Sequence, residues 1–203
     1  LVAMLKKSGL APVTEEGDRE LFALNTVDFI GCNYYQPLRV QAPIAPNDPI
    51  TGPRDLFRGY DWPDKKINPH RGWEIFPQGI YDIAMRLKNS YGTIPWYISE
   101  NGMGVSQEER FATQEGEIND TYRIEFVTDH LKELQRAIEA GAPCFGYHMW
   151  TFIDCWSWLN AYKNRYGYYR VDLTDDTRTP KASSFWMAQV AKDNGIDSGN
   201  GPD

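Results

Sequence analysis

Residues 94–104 read Ile94-Pro-Trp-Tyr-Ile-Ser-Glu-Asn-Gly-Met-Gly104, and the fold turns on how this run is taken. Isoleucine and aromatic residues followed by Asn-Gly and a second glycine give a strand-then-loop signal, with the strand over residues 95–98. Glu100 closes it. In α/β barrel enzymes the C-terminal tips of buried strands carry catalytic groups. A solvated acid at the start of a loop is the other reading of the same residues.

The flanking segments supply helices on both sides. Residues 77–90 are expected to be helical, with Pro77 in the first turn and Ile80, Ile83, Ala84 and Leu87 on one stripe. A polar loop over 105–117 precedes the longest helix, about 121–140, capped by Asn119 or Asp120. Its apolar positions Ile124, Val127, Leu131, Leu134 and Ile138 step by three and four, and Gly141 ends it. Residues 144–151 form a third strand, followed by an aromatic loop over 152–169, a short strand over 170–173 and a last helix over 183–192. Upstream lie a helix over 1–8 stopped by Gly9, a short helix capped by Thr14, a buried strand over 27–35 and a proline-rich loop over 36–71. The chain opens at Leu1 as if inside a helix, which implies polypeptide upstream. Residues 196–203 are expected to fray.

Strands alternating with helices predict parallel pairing with crossover helices. Each strand runs into a loop rich in Asn, Glu, Trp and Tyr, so function should collect at one end of the sheet. The chain of 203 residues carries a net charge of -7, which argues against a general nucleic-acid or anionic-membrane partner. No glycine fingerprint follows the first strand and there is no phosphate-binding glycine loop, so no cofactor is expected. The three cysteines, Cys32, Cys144 and Cys155, have no metal-type spacing. They read as small buried hydrophobes in a reducing compartment, and with no signal segment the expected location is cytoplasmic. Aromatics are abundant, with Trp 7, Tyr 12 and Phe 9, a composition suited to faces that stack on sugars.

Five stretches converge: Asp28-Phe-Ile-Gly-Cys-Asn-Tyr-Tyr35, Trp73-Glu-Ile-Phe-Pro-Gln-Gly79, Trp96-Tyr-Ile-Ser-Glu-Asn-Gly-Met-Gly104, Tyr147-His-Met-Trp-Thr-Phe-Ile-Asp-Cys-Trp-Ser-Trp158 and Arg165-Tyr-Gly167. Together they resemble glycoside hydrolase family 1, whose members include β-glucosidases, β-galactosidases and their 6-phospho counterparts. The resemblance runs from about residue 10 to residue 192. It implies the C-terminal part, about three βα units, of a (β/α)8 TIM barrel, with the whole of 1–203 belonging to that one barrel domain. It also implies retaining hydrolysis by two carboxylates about 5–5.5 Å apart.

By the resemblance Glu100 is the nucleophile and Tyr35 the phenol that steadies it. Asn33 lies near the sugar, Trp150 forms the floor under it, and Trp73 is a platform on the aglycone side. Ser157 stands where neutral-sugar members carry a glutamate. A carboxylate there would repel a 6-phosphate, whereas a hydroxyl can donate to it. Phospho-glycosidases of the family follow that serine with a lysine and a tyrosine. Tyr166 matches the tyrosine, Asn164 occupies the lysine position, and Lys163 sits one residue earlier. Trp158 joins these substrate-binding residues. The resemblance thus favours a 6-phospho-β-glucosidase over a β-glucosidase acting on neutral sugars.

The family's acid/base glutamate belongs to an Asn-Glu-Pro motif, and this sequence has none. The partner implied is therefore the N-terminal portion of the same barrel, beside a β-glycoside or 6-phospho-β-glycoside substrate. An inactive fragment or a carbohydrate-binding remnant is the remaining alternative.

Overall fold

The structure, a computed structural model, describes residues 2–24, 27–43 and 50–196. The expected start at Leu1 and the fraying of 197–203 lie outside the described residues. In chain order the elements are α1 (Val2–Lys7), α2 (Asp18–Ala23), β1 (Ile30–Asn33), β2 (Val40–Gln41), β3 (Arg58–Gly59), β4 (Ile67–Asn68), β5 (Trp73–Glu74) and α3 (Gln78–Tyr91). They continue with β6 (Trp96–Asn101), β7 (Val105–Ser106), α4 (Thr121–Glu139), β8 (Cys144–Met149), β9 (Asn164–Arg165), β10 (Tyr169–Val171), β11 (Arg178–Pro180) and α5 (Ala182–Asp193). Two units carry them: Leu1–Asp28 with Pro37–Lys65, and Phe29–Gln36 with Lys66–Asp203.

In the first unit α1 and α2 bury no residue. Thr14 does not cap α2. The helix starts later, after Gly17 in a left-handed conformation (φ 95°), and Asp18 takes the Glu15 N–H at 2.8 Å instead. The proline-rich segment expected to be structureless holds an antiparallel pair, β2 with β3, whose ladders are too short to leave a periodic pattern. Arg39 lies over the Trp62 ring at 4.2 Å.

The second unit is an α/β layer built on a parallel sheet, ordered β1-β6-β8. The parallel strands and their crossover helices are as the alternation predicts. Trp96 and Ile98 of β6 face Ile80 and Ala84 of α3 and Leu134 and Ala137 of α4, forming one apolar core. The opposite face is open: Phe29 and Phe145 are 55% and 59% exposed, and both rings meet Tyr97, at 5.9 and 5.2 Å.

Several expectations are corrected here. Strand β6 extends to Asn101, so Glu100 lies within the last turn of pairing rather than beyond it. On α4 the buried residues are Arg123, Phe126, Val127, His130, Leu134 and Ala137, whereas Ile138 is 46% exposed. Two polar side chains rotate the stripe: Arg123, whose partners include Glu108 and the Met103 carbonyl far away in sequence, and His130. Asp120 holds the N-cap position, but its carboxylate serves the Arg123 side chain and Ser183 rather than the backbone N–H groups of the helix start. The three cysteines are free and half-buried, not fully buried. The short strand near 170 pairs as a hairpin with β11, which carries no strand signal in sequence.

Candidate functional site

Parallel register brings the carboxyl ends of three strands together. Asn33 pairs with Glu100 across β1 and β6, and Asn101 pairs with Met149 across β6 and β8. The fully buried Asn101 side chain locks this edge. Its Nδ2 donates to the Tyr34 carbonyl at 2.7 Å, and its Oδ1 accepts from the Tyr147 hydroxyl at 2.7 Å. Its own carbonyl accepts the Trp150 N–H at 2.7 Å. One amide therefore fixes the residues that flank Glu100 on all three strands.

The glycines of the same stretch have steric reasons. A Cβ on Gly102 would sit 2.0 Å from the Trp150 carbonyl oxygen, and one on Gly104 would sit 2.3 Å from the Tyr166 ring. These close approaches need glycine whatever the local turn prefers.

At the edge so made, the Tyr35 hydroxyl donates to Glu100 Oε2 at 2.8 Å. Burial raises the Tyr35 pKa first, and the hydrogen bond and charge of Glu100 raise it further. Tyr35 is therefore held as a proton donor to the carboxylate. Its ring stands 5.4 Å from Trp73, and the Arg71 guanidinium lies 4.3 Å over that indole. Burial also raises the pKa of Tyr166, with Arg71 opposing the rise, so Arg71 stands beside both aromatic groups. Tyr35, Glu100, Trp73, Tyr166 and Arg71 form one cluster, and the Trp150 backbone N–H binds the carbonyl of Asn101, next to Glu100.

The other candidates lie further out. Asn33 is exposed, and its Oδ1 accepts from the Ser99 hydroxyl at 2.6 Å. Ser157 opens a tight turn, exchanging backbone bonds with Ala161 at 3.0 and 2.8 Å. Trp158, at that turn's tip, is 91% exposed and meets Trp156 edge-on at 4.9 Å. Lys163 is exposed as well. Among the described residues no hydrogen bond or ion pair links Ser157, Trp158 or Lys163 to the Tyr35–Glu100 pair.

Under these loops lies a charged network that sequence reasoning missed. Glu108 accepts from Arg123 at 2.5 Å and from Lys181 at 2.5 Å, and the Tyr122 hydroxyl donates to it at 2.5 Å. Lys181 also binds Asp154 at 3.0 Å, and Asp154 accepts the Gly167 N–H at 2.9 Å. Arg123 binds Asp120 at 2.8 Å. Asp154 belongs to the segment that carries Ser157, and Gly167 adjoins Tyr166, so the network sets both loops. One signal was available: centring the α4 stripe on Val127 and Leu134 places Arg123 and His130 on it. Arg71 and Asn101 had no such signal.

Among the described residues no cluster of His, Cys, Asp or Glu could hold a metal ion, and no helix is long and apolar enough to cross a membrane. A cavity of about 780 Å³ lies between α4, α5 and β8, and none of the candidate residues lines it.

Residues 1–196 match the profile of glycosyl hydrolase family 1. The chain is similar to 6-phospho-beta-glucosidase GmuD of Bacillus subtilis, 50% identical over 97% of this chain and 43% of that protein. It is also similar to aryl-phospho-beta-D-glucosidase BglC of the same organism, 34% identical over 94% of this chain and 43% of that one. Among solved structures, a beta-glucosidase from Thermotoga maritima in complex with azafagomine aligns with a TM-score of 0.79 at 28% identity, covering 96% of this chain and 42% of that one. The chain thus spans less than half the length of the relatives it matches.

Proposed function

We propose, for a chain that belongs to glycosyl hydrolase family 1, that it forms the C-terminal part of a (β/α)8 barrel and carries the nucleophile of a retaining β-glycosidase. The observation that carries this reading is the 2.8 Å hydrogen bond from Tyr35 to Glu100 at the carboxyl ends of parallel strands. The open sheet face and the single partner that β1 and β8 each have among the described residues support the barrel assignment, because the remaining strands would cover both. On this reading residues 1–203 belong to one barrel domain, completed by an N-terminal portion of the same barrel.

In the proposed reaction the Glu100 carboxylate attacks the anomeric carbon and forms a glycosyl ester. The aglycone oxygen leaves with a proton from an acid/base glutamate on the N-terminal portion. That residue then deprotonates the water that cleaves the ester. Tyr35 holds the attacking oxygen in line. Trp150 offers an indole face to the pyranose C–H face, Asn33 reaches the sugar, and Trp73 flanks the aglycone.

The substrates favoured are 6-phospho-β-glucosides, with Ser157, Lys163 and Tyr166, near Trp158, around the phosphate. The resemblance at Ser157 and Tyr166 supports this, as does the 50% identity to a protein named 6-phospho-beta-glucosidase. Asn164 at the lysine position favours the second reading, a β-glucosidase for neutral sugars. Comparing hydrolysis of 4-nitrophenyl β-glucoside with its 6-phosphate decides between them, and faster turnover of the neutral sugar overturns the first.

Glu100→Gln in the complete enzyme tests the nucleophile. Turnover should fall by at least about 10³-fold while sugar binding remains. A carbohydrate-binding remnant would lose little by the same change.

A further inference from the structure

The position where the resemblance expects a lysine holds Asn164, which carries no charge. Asn164 is 2% exposed, and both ends of its amide are engaged. Its Oδ1 accepts from Asn160 at 2.8 Å, and its Nδ2 donates to the His70 carbonyl at 3.3 Å. It has no charge to offer a ligand, and its burial keeps the amide within the fold. Lys163 is exposed, in a turn closed by its N–H to the Asn160 carbonyl at 3.0 Å.

Arg71 differs on every count. Its guanidinium is stacked over Trp73 at 4.3 Å and stands beside Tyr166. Its Nε is shielded from solvent and has no hydrogen-bond partner among the described residues. Among those residues no carboxylate pairs with it, whereas Arg123, Lys181 and Arg165 each have one. A buried guanidinium donor left unpaired is costly, and an anion would satisfy it. The planar fork matches a phosphate with two parallel N–H bonds, which an ammonium cannot reproduce.

We propose that Arg71, with the Tyr166 hydroxyl, recognises the 6-phosphate of the sugar in place of the lysine that position 164 lacks. This rests on the phosphorylated-substrate reading above. Stacking on Trp73 fixes the plane of the guanidinium, so the charge is presented at a set angle.

The test is the ratio of kcat/KM for 4-nitrophenyl β-glucoside 6-phosphate to that for the unphosphorylated glucoside, measured in the complete enzyme. Arg71→Gln should lower this ratio by about 10²-fold. Arg71→Lys, which keeps the charge and loses the fork, should lower it by about tenfold and serves if the first variant folds poorly. Circular dichroism and thermal melting report the fold of each. An unchanged ratio, through parallel losses or none, overturns the assignment. So does a ratio that collapses in Lys163→Ala and persists in Arg71→Gln. If the wild-type enzyme prefers the unphosphorylated sugar, the substrate reading falls and this proposal with it. If it prefers the phosphate and Arg71→Gln is unselective, Arg71 alone is refuted.

Discussion

Two groups of carboxylates sit in the same unit and are treated in opposite ways. Glu108, Asp120 and Asp154 are buried and saturated: each contacts at least one of Arg123 and Lys181, and Glu108 contacts both. Glu100 lies at the strand ends, is only partly buried, and among the described residues accepts one side-chain hydrogen bond, from Tyr35. Saturation fixes a loop, because each cation closes off the oxygens it binds. Sparse coordination leaves an oxygen available to a ligand. The difference teaches where to look for chemistry, since a carboxylate whose lone pairs are all occupied cannot attack anything.

The comparison breaks first at Lys181. Replacing it with methionine removes the ammonium shared by Glu108 and Asp154 and leaves two buried anions short of a partner. A loss of about 3–5 kcal/mol is expected, read as a lower urea midpoint. Glu100→Gln, an isosteric change at the sparse site, should move the same midpoint by less than about 1 kcal/mol. Equal shifts would erase the distinction.

His130 is an intermediate case, an ionisable group buried with no ion pair among the described residues. Its Nδ1 meets the Phe126 carbonyl at 2.7 Å, and its Nε2 has no hydrogen-bond partner among the described residues. Burial lowers its pKa to about 4 from 6.5, against smaller upward pulls from the Phe126 carbonyl and Asp129. The folded value lies below the unfolded one, so only the unfolded chain takes up a proton as pH falls below about 6.5. Stability is therefore lost between about pH 6.5 and pH 4, by about 3 kcal/mol in all. His130→Gln should flatten that part of the stability–pH curve, measured by denaturant titration at several pH values. An unchanged slope would show that other groups set the acid limb.

The same contrast explains how much of the molecule could be read from residues alone. The strands ending at Asn33, Asn101 and Met149 were legible because β-branched and aromatic runs announce buried strands, and three such runs between helices leave few arrangements. Helix α4 was legible in extent but not in face. The expected stripe, Ile124, Val127, Leu131, Leu134 and Ile138, shares Val127 and Leu134 with the buried face, while the structure adds Arg123 and His130 and leaves Ile138 exposed. Apolar periodicity cannot see a charge whose partner lies far away, and Glu108 opens a short 3-10 helix 15 positions from Arg123. The two-residue ladders after Tyr35 left no periodicity to find. Asn101 was read only as part of a turn signal, yet its amide joins three strands, a role fixed by parallel register rather than by its neighbours.

The smallest expected effect is also the most direct probe of the sparse site. Tyr35→Phe removes the hydroxyl that contacts Glu100 and keeps the ring against Trp73. A hydrogen bond to a charged group contributes roughly 1.5–3 kcal/mol, so if it serves the reaction kcat should fall by about 10- to 100-fold. Stability should change little, because Glu100 is partly exposed and water can replace the phenol. A saturated carboxylate would behave in reverse, with a large loss of stability and no kinetic signature. Because burial and Glu100 both raise the Tyr35 pKa, the phenol stays protonated through neutral and mildly alkaline pH. The alkaline limb of the wild-type rate profile should then be the same in the variant, with only its height reduced. A variant that lost stability at full kcat would place Tyr35 with the structural group and remove the basis for reading Glu100 as the reactive one.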